Sequence, residues 1–404
     1  MPDVLKKPSL LSDIIFVDSS NGRRYIDCST EPRSRKPRTV LSLFSGAGGF
    51  DLGLELAGFE TIGCVELDRD CRETLKFNRP KWRLMDGGNL DAPGDVRELD
   101  PEGVLATLGK KRGDIDLIVG GPPCQPFSNL GKKKGQGDSR NGDLTTEFAR
   151  MIDGLLPKGF IFENVGGFTH HKHEEARKYL TDEFDRLGYT LASQIICSAD
   201  YGDPQIRKRF VILGIREALQ VALPLPKYFE TTAKASQFYE RIGKELRDSP
   251  KIWQTVGETL AQIPESRLLR PDCIHMGVSD IVARRMALVK PGDNFKVLPP
   301  ELLPDCWKSG KHQGQDTFGR LRADRPSVTI RTSAYNVSKG RFIHPFEDRG
   351  LNTAEMAALQ SFPYEYEFKC VRKPTLVGIG KMIGNAVPIR LAKALGQAMA
   401  LQLT

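Results

Sequence analysis

Short apolar runs recur along the first half of the chain. Each is followed by a turn and then by a stretch with helical spacing. Thr39 to Phe44 reads as a buried strand, the Gly-rich residues 46–49 as its turn, and the next stretch as a helix ending near Gly58. Thr61 to Glu66 and Arg69 to Asn78 repeat the strand and helix. Asp116 to Val119 and Gly159 to Phe162 predict two more strands, and Glu174 to Leu187 predicts a helix. Further strands are predicted near 190–198 and 209–214. Continuous apolar strands that alternate with helices predict a doubly wound, Rossmann-like α/β sheet, because a parallel sheet buries both faces and needs crossover helices.

The rhythm stops at about residue 216. Residues 216–317 are irregular, Pro-rich in places and mixed in charge. Strand-like and helical pieces return from 318, and Pro388 to Leu403 has the spacing of an amphipathic helix. Ahead of Thr39, Ile14 to Val17 and Arg23 to Asp27 predict two short strands around Ser19-Ser20-Asn21-Gly22. Glu31 to Arg38 then carries two prolines and four basic residues against one acid, the composition of a linker. The expected organisation has four parts. They are an extension over 1–38, a main domain over 39–215 completed by 376–404, a smaller irregular domain over 216–317, and a hinge with the rest of the small domain over 318–375.

Composition narrows the class. A chain of 404 residues favours two or three domains. With 59 Lys and Arg against 51 Asp and Glu the formal charge is +8, which suits a polyanionic partner without proving one. The eight cysteines form no CxxC pair, so a reducing compartment is expected. Asp13 interrupts the apolar stretch at the N-terminus, and no run of 18 apolar residues occurs. Neither a signal peptide nor a membrane span is expected, and the expected location is the cytoplasm, on the bacterial nucleoid.

Four groups of residues carry candidate chemistry. Phe44-Ser45-Gly46-Ala47-Gly48-Gly49 follows a strand, where glycines allow a tight turn and close approach to a ligand. It also fits a plain strand–helix turn. Glu66 ends the next strand, where an acid commonly accepts hydrogen bonds from ribose hydroxyls. A solvated carboxylate is the plainer reading. Together the two favour a nucleoside-containing cofactor. Gly121-Pro122-Pro123-Cys124-Gln125-Pro126 sets a cysteine just past a strand end between prolines that stiffen its backbone, which suits a nucleophile as well as a buried structural thiol. A basic loop with Lys132, Lys133, Lys134 and Arg140 follows, and could lie over a phosphate backbone or be solvated. Glu163 stands at another strand end, where it could donate a proton to a bound base. Gln205, Arg207 and Arg209 share one strand face by the period of two. That face could hold an anion, support the catalytic loop, or form a surface ion-pair ladder.

These pieces, in this order, resemble the cytosine-C5 DNA methyltransferases of bacterial restriction-modification type. The likeness runs from about Thr39 to Leu401 and takes in Phe44 to Gly49, Pro122-Pro123-Cys124-Gln125, Glu163-Asn164-Val165 and Gln205-x-Arg207-x-Arg209. It also includes Arg322 to Thr332 and Gly384-Asn385-Ala386-Val387-Pro388. The resemblance implies that Cys124 is the nucleophile, that Glu163 grips the target base, and that Arg207 and Arg209 support both. It implies an S-adenosylmethionine site formed by Phe44, Gly46, Gly49, Glu66, Leu67, Asp95, Pro123, Leu144, Asn385 and Val387. Leu67 stands where the family often has a Trp stacked on adenine, which implies an aliphatic contact there. Asp95 is the expected adenine partner, with Asp86 and Asp91 close by in sequence.

In the implied reaction a thiolate adds to C6 of cytosine, C5 takes the methyl group, and loss of the C5 proton and of the thiol restores the ring. The base must first be flipped out of the duplex. The implied partner is double-stranded DNA, bound by a monomer, with residues 216–317 reading the target and no metal involved. His170, His171 and His173, and Cys273, His275, Cys306 and His312, read as ordinary side chains rather than as metal ligands. Two other functions fit the motifs. One is an RNA-directed enzyme of the same family acting on transfer RNA. The other is a DNA-binding paralogue without turnover, against which the intact Cys124, Glu163, Arg207 and Arg209 argue.

Overall fold

The computed structural model describes residues 14–29, 36–85, 94–123, 144–245, 250–308 and 316–403. In chain order the first half comprises β1 (Ile15–Val17), β2 (Arg24–Ile26), β3 (Arg38–Leu43), α1 (Gly49–Glu55), β4 (Phe59–Val65), α2 (Arg69–Asn78), α3 (Pro101–Leu108), β5 (Leu117–Gly120), α4 (Leu144–Leu155), β6 (Gly159–Val165), α5 (Glu174–Arg186), β7 (Tyr189–Cys197), β8 (Gln205–Ile206) and β9 (Lys208–Arg216). The second half comprises β10 (Leu223–Pro224), β11 (Tyr228–Phe229), α6 (Thr232–Arg241), β12 (Lys251–Ile252), α7 (Val256–Ala261), α8 (Glu265–Leu268), α9 (Asp280–Leu288), α10 (Asp305–Lys308), β13 (Ser327–Val328), α11 (Thr353–Leu359), α12 (Leu376–Asn385) and α13 (Ile389–Gln402).

The main sheet has six strands in the order β4-β3-β5-β6-β9-β7. Strands β4, β3, β5 and β6 are parallel, and β9 inserts antiparallel between β6 and β7. The chain leaves β3 first to one side, for β4, and later returns to its other side as β5. This is the topological switch at which open α/β sheets bind ligands, beyond the carboxyl ends of the strands. The expected doubly wound fold is present, with the helix over Arg69–Asn78 where the spacing placed it.

Both faces of the sheet are covered. On one face Phe148 of α4 packs edge-on to Phe162 of β6 at 5.4 Å between ring centroids, and Phe160 lies 4.2 Å from Phe184 of α5. On the other face α13 lies against α1. A Cβ on Gly53 would come within 2.4 Å of Ala392 Cβ, so glycine is what lets the two helices approach. The last helix of the chain therefore lies on the first helix of the sheet.

The N-terminal strands form where the apolar pattern put them, but with a partner it did not indicate. β2 pairs antiparallel with β1 and parallel with β10. Tyr25 and Ile26 are buried, and the Tyr25 hydroxyl donates to Gln194 Oε1 at 3.2 Å. Val221, Leu223, Leu225, Phe229, Phe238 and Ile242 join Tyr25, Leu395, Met399 and Leu403 in one apolar cluster. The lost rhythm at 216 marks the end of the main sheet, while residues 221–242 still pack on that domain's core.

Candidate active site

A cavity of about 880 Å³ opens where the carboxyl ends of β3, β4, β5 and β6 converge. Twelve of the residues singled out from the sequence line it: Phe44, Gly46, Glu66, Leu67, Asp95, Pro123, Leu144, Glu163, Arg207, Arg209, Asn385 and Val387. Gly49 does not line the cavity. A Cβ there would meet the Val387 carbonyl at 2.7 Å, so Gly49 sets how closely α1 approaches the 386–387 segment that does line it. Cys124, Lys132, Lys133, Lys134 and Arg140 lie outside the described residues, as do Asp86 and Asp91.

The turn after β3 is tightly wound. Phe44 has φ 57° and Gly46 φ 55°, so a non-glycine residue takes a left-handed conformation beside the cavity. This winding aims the Gly46 N–H at Glu66 Oε2, at 2.6 Å, while the Asp68 N–H donates to Oε1 at 2.7 Å. Glu66 is thereby fixed at the end of β4 with its carboxylate on the cavity wall. Burial pushes its pKa up, against the two backbone donors that pull it down. Gly94 packs on the Glu66 carbonyl, which a Cβ would approach within 2.1 Å, and so places the next residue, Asp95, at the cavity. Asp95 Oδ1 accepts the Arg97 N–H at 3.0 Å, and the Arg97 guanidinium holds the carboxyl below its usual range. Leu67, 55% exposed, offers an aliphatic face at the rim.

The other end of the cavity is charged. Glu163 Oε1 accepts Arg209 Nε at 2.7 Å, and both side chains are about nine-tenths buried. The strand carrying Glu163 continues to Val165, so Glu163 sits inside β6 rather than at its end. Its pairing with β9 brings Arg209 opposite Val165. Asn164 Nδ2 donates to the Pro122 carbonyl at 3.1 Å, which ties the loop that leads into Cys124 to β6.

Gln205, Arg207 and Arg209 do not share one continuous strand. The chain breaks at Arg207, between β8 and β9. Nor is this a surface ladder, because Gln205 and Arg207 are buried. Arg207 donates through Nη1 to the Ile330 carbonyl and through Nη2 to the Gly384 carbonyl, both at 2.8 Å. It therefore braces the segment before Asn385, while Arg209 alone of the two bonds Glu163 in this structure. Burial, and next the charge of Arg209, lower the Arg207 pKa to about 9.

Asp68, Cys71, Arg97, Lys381 and Met382 also line the cavity, although no motif singles them out in the sequence. One signal was available. Lys381 stands four residues before Asn385 in a helical pattern, which puts both on one face. Among the described residues no group of three or more His, Cys, Asp or Glu is placed to hold a metal ion. His173 stacks on Phe168 at 5.4 Å. No described helix is long and apolar enough to cross a membrane.

The cavity therefore joins a half that carries the Glu66 and Asp95 carboxylates to a half built on a buried carboxylate–guanidinium pair, next to Pro122 and Pro123. Comparison with known proteins gives the family. The family model described as C-5 cytosine-specific DNA methylase matches residues 38–400. The Type II methyltransferase M.Sau96I of Staphylococcus aureus is 33% identical over 95% of this chain and 78% of its own length. M1.HphI of Haemophilus parahaemolyticus, also a Type II methyltransferase, is 31% identical over 89% and 86%. Among solved structures, a prophage-encoded E. coli protein described as a DNA modification methyltransferase superposes with TM-score 0.65 at 22% identity, covering 91% of this chain and 99% of that one. The Dnmt2 methyltransferase of S. pombe does so with TM-score 0.57 at 18% identity, covering 91% and 98%. These two establish the likeness of fold alone. The family model and the relatives establish the family: the chain belongs to the C-5 cytosine-specific DNA methylases of bacterial restriction-modification type, and is a DNA cytosine-C5 methyltransferase.

Proposed function

We propose that this enzyme moves the methyl group of S-adenosylmethionine to C5 of a cytosine flipped out of a specific duplex sequence, through a covalent adduct with Cys124, and so protects host DNA from a cognate restriction enzyme. The observation that carries the proposal is the shared cavity. Glu66 and the turn at Phe44 to Gly46 form one half, and the Glu163–Arg209 pair forms the other, beside Pro123.

The residues present fit the cofactor. Both Glu66 oxygens are held by backbone N–H groups, which leaves lone pairs aimed into the cavity for ribose hydroxyls. Phe44, Leu67 and Met382 offer apolar faces, Asp95 is the expected adenine partner, and Asn385 and Val387 complete the cavity wall. When bound, S-adenosylmethionine supplies an electrophilic methyl group on a sulfonium.

Cytosine C5 is a weak nucleophile. A Cys124 thiolate that adds to C6 pushes electron density to C5, which then takes the methyl group. Glu163, as a donor at ring N3, stabilises the charge displaced into the ring. Arg209 keeps Glu163 aimed, and Asn164 anchors the Pro122 carbonyl, so the base-facing and thiol-bearing segments share one frame. A base removes the C5 proton, the C6–S bond breaks, and the thiolate leaves with the ring restored. Cysteine suits both ends of this sequence because its thiolate is a good nucleophile and a good leaving group. The basic loop at Lys132, Lys133, Lys134 and Arg140 would contact phosphates, which add affinity without sequence information.

The test is transfer of tritiated methyl groups from S-adenosylmethionine to unmethylated duplex DNA and to transfer RNA, with the product nucleoside identified. Label in 5-methyldeoxycytidine is expected. Label confined to transfer RNA would move the enzyme to the RNA-directed branch.

A further inference from the structure

We propose that Lys381 and Asp68 form a charged latch across the rim of the cofactor cavity, a positioning pair that retains the cofactor beside Glu66. The inference rests on the reading of this cavity as a nucleoside-cofactor site.

The two residues come from elements that have no sequence neighbourhood in common. Asp68 caps α2: its Oδ1 accepts the Asp70 and Cys71 N–H groups at 2.9 and 3.2 Å. Its Oδ2 accepts Lys381 Nζ, from α12, at 2.6 Å. Both residues line the cavity, Asp68 one position past Leu67 and Lys381 one helical turn before Asn385. The pair is one of several contacts between α2 and the segment over 369–382. In the same seam the Thr74 hydroxyl lies buried 3.2 Å from Met382 Sδ, and at the surface Asp70 Oδ1 accepts the Val371 N–H at 2.9 Å. Any widening of the rim between α2 and α12 must break the ion pair.

As a contribution to folding the pair counts for little, because the Lys381 side chain is 55% exposed and Asp68 27%. Its position gives it another use. The groups facing Glu66 are Asp68, Cys71 and Arg72 on α2, Lys381 on α12, Asp51 on α1 and Cys64 on β4. Arg72 Nη1 lies 3.4 Å from the Glu66 backbone carbonyl rather than its carboxylate. Burial and the Asp68 charge favour the protonated form of Glu66, and the Lys381 charge favours the ionised form that accepts ribose hydroxyls. The latch places the two opposing charges in contact with each other at the edge of the site.

This gives the partners opposite signatures. S-adenosylhomocysteine binding is measured by calorimetry across pH, and its release by stopped flow, for the full chain and for Lys381→Met and Asp68→Asn. Asn keeps the helix cap, so folding is preserved. Glu66→Gln identifies the acid limb, which it should abolish. In Lys381→Met the acid limb of affinity is expected to move to higher pH. In Asp68→Asn it is expected to move to lower pH. Release should quicken several-fold in both, and no further in the double variant, because either change opens the same contact. Unchanged release in the single variants, or an equal loss of affinity at every pH, would overturn the latch. Failure of the unaltered protein to bind S-adenosylhomocysteine at any pH would overturn the cofactor reading itself, and is seen before any variant is compared.

Discussion

At the scale of single residues, the site depends on an atom that is missing. Gly121 has no Cβ, and one placed there would lie 2.7 Å from Glu163 Oε2. That contact is too close to tolerate, and Glu163 has little room to yield because Arg209 holds its other oxygen. Gly121→Ala should therefore turn the carboxylate away from a bound base while leaving Glu66 and the cofactor half untouched. A misplacement of this order can lower turnover by about 100-fold. The expected result is a large fall in kcat with S-adenosylhomocysteine affinity within about threefold of the parent, the error of such a comparison. Equal loss of both would mean that Gly121 matters for folding rather than for aim. That Glu66 and Glu163 line the cavity could be anticipated, because each is an acid at or near the carboxyl end of an apolar strand. The split between Arg207 and Arg209 could not. It depends on a break in the strand at Arg207 and on the Ile330 and Gly384 carbonyls, more than 120 positions away in sequence.

At the scale of elements, the apolar pattern places strands and helices well where each is buried by its own neighbours. Thus β3, β4, α2, α5 and α13 begin or end within a few residues of the expected bounds. It does less well where the partner is remote. The pairing of β2 with β10 is settled by apolar contacts with α13, some 175 residues further along the chain, and no local spacing carries that information. The same holds for the α1–α13 seam, where no local pattern marks Gly53 and Gly396 as contact points. In the structure they are the points of closest approach. Gly53→Ala puts a methyl 2.4 Å from Ala392 Cβ and 2.6 Å from the Ile389 carbonyl. Despite the higher helix propensity of alanine, overpacking should dominate and destabilise the protein by about 1–3 kcal/mol. A lower urea midpoint with an unchanged slope is expected. A raised midpoint would show that the two helices can separate freely.

At the scale of the whole molecule, the question is where sequence recognition resides. The irregular stretch over 216–317 was expected to read the target, but residues 221–242 pack with Tyr25 and α13 in the main domain. An exchange starting at 216 would tear out that packing. We expect an exchange of residues 246–315 with the equivalent stretch of a relative to redirect methylation to the relative's site, provided that Trp253 and Val256 are kept, because Trp253 bonds Asp200 and Val256 packs with Cys71 and Met382 of the cavity wall. Bisulfite mapping of host DNA reads the outcome. Methylation that stays at the original site would place recognition outside 246–315.

A covalent route through Cys124 leaves an intermediate that can be trapped. Duplex DNA in which cytosine is replaced by 5-fluorocytosine is incubated with S-adenosylmethionine and either the unaltered protein or Cys124→Ser. Fluorine cannot leave C5 as a proton, so the adduct cannot collapse. The expected result is a denaturant-resistant protein–DNA complex carrying a transferred methyl group, formed by the unaltered protein alone, with the DNA joined at Cys124 by mass spectrometry. Cys124→Ser should bind the same DNA and leave no such complex. A Cys124→Ser protein that still methylates cytosine, or an adduct on another residue, would exclude Cys124 as the nucleophile.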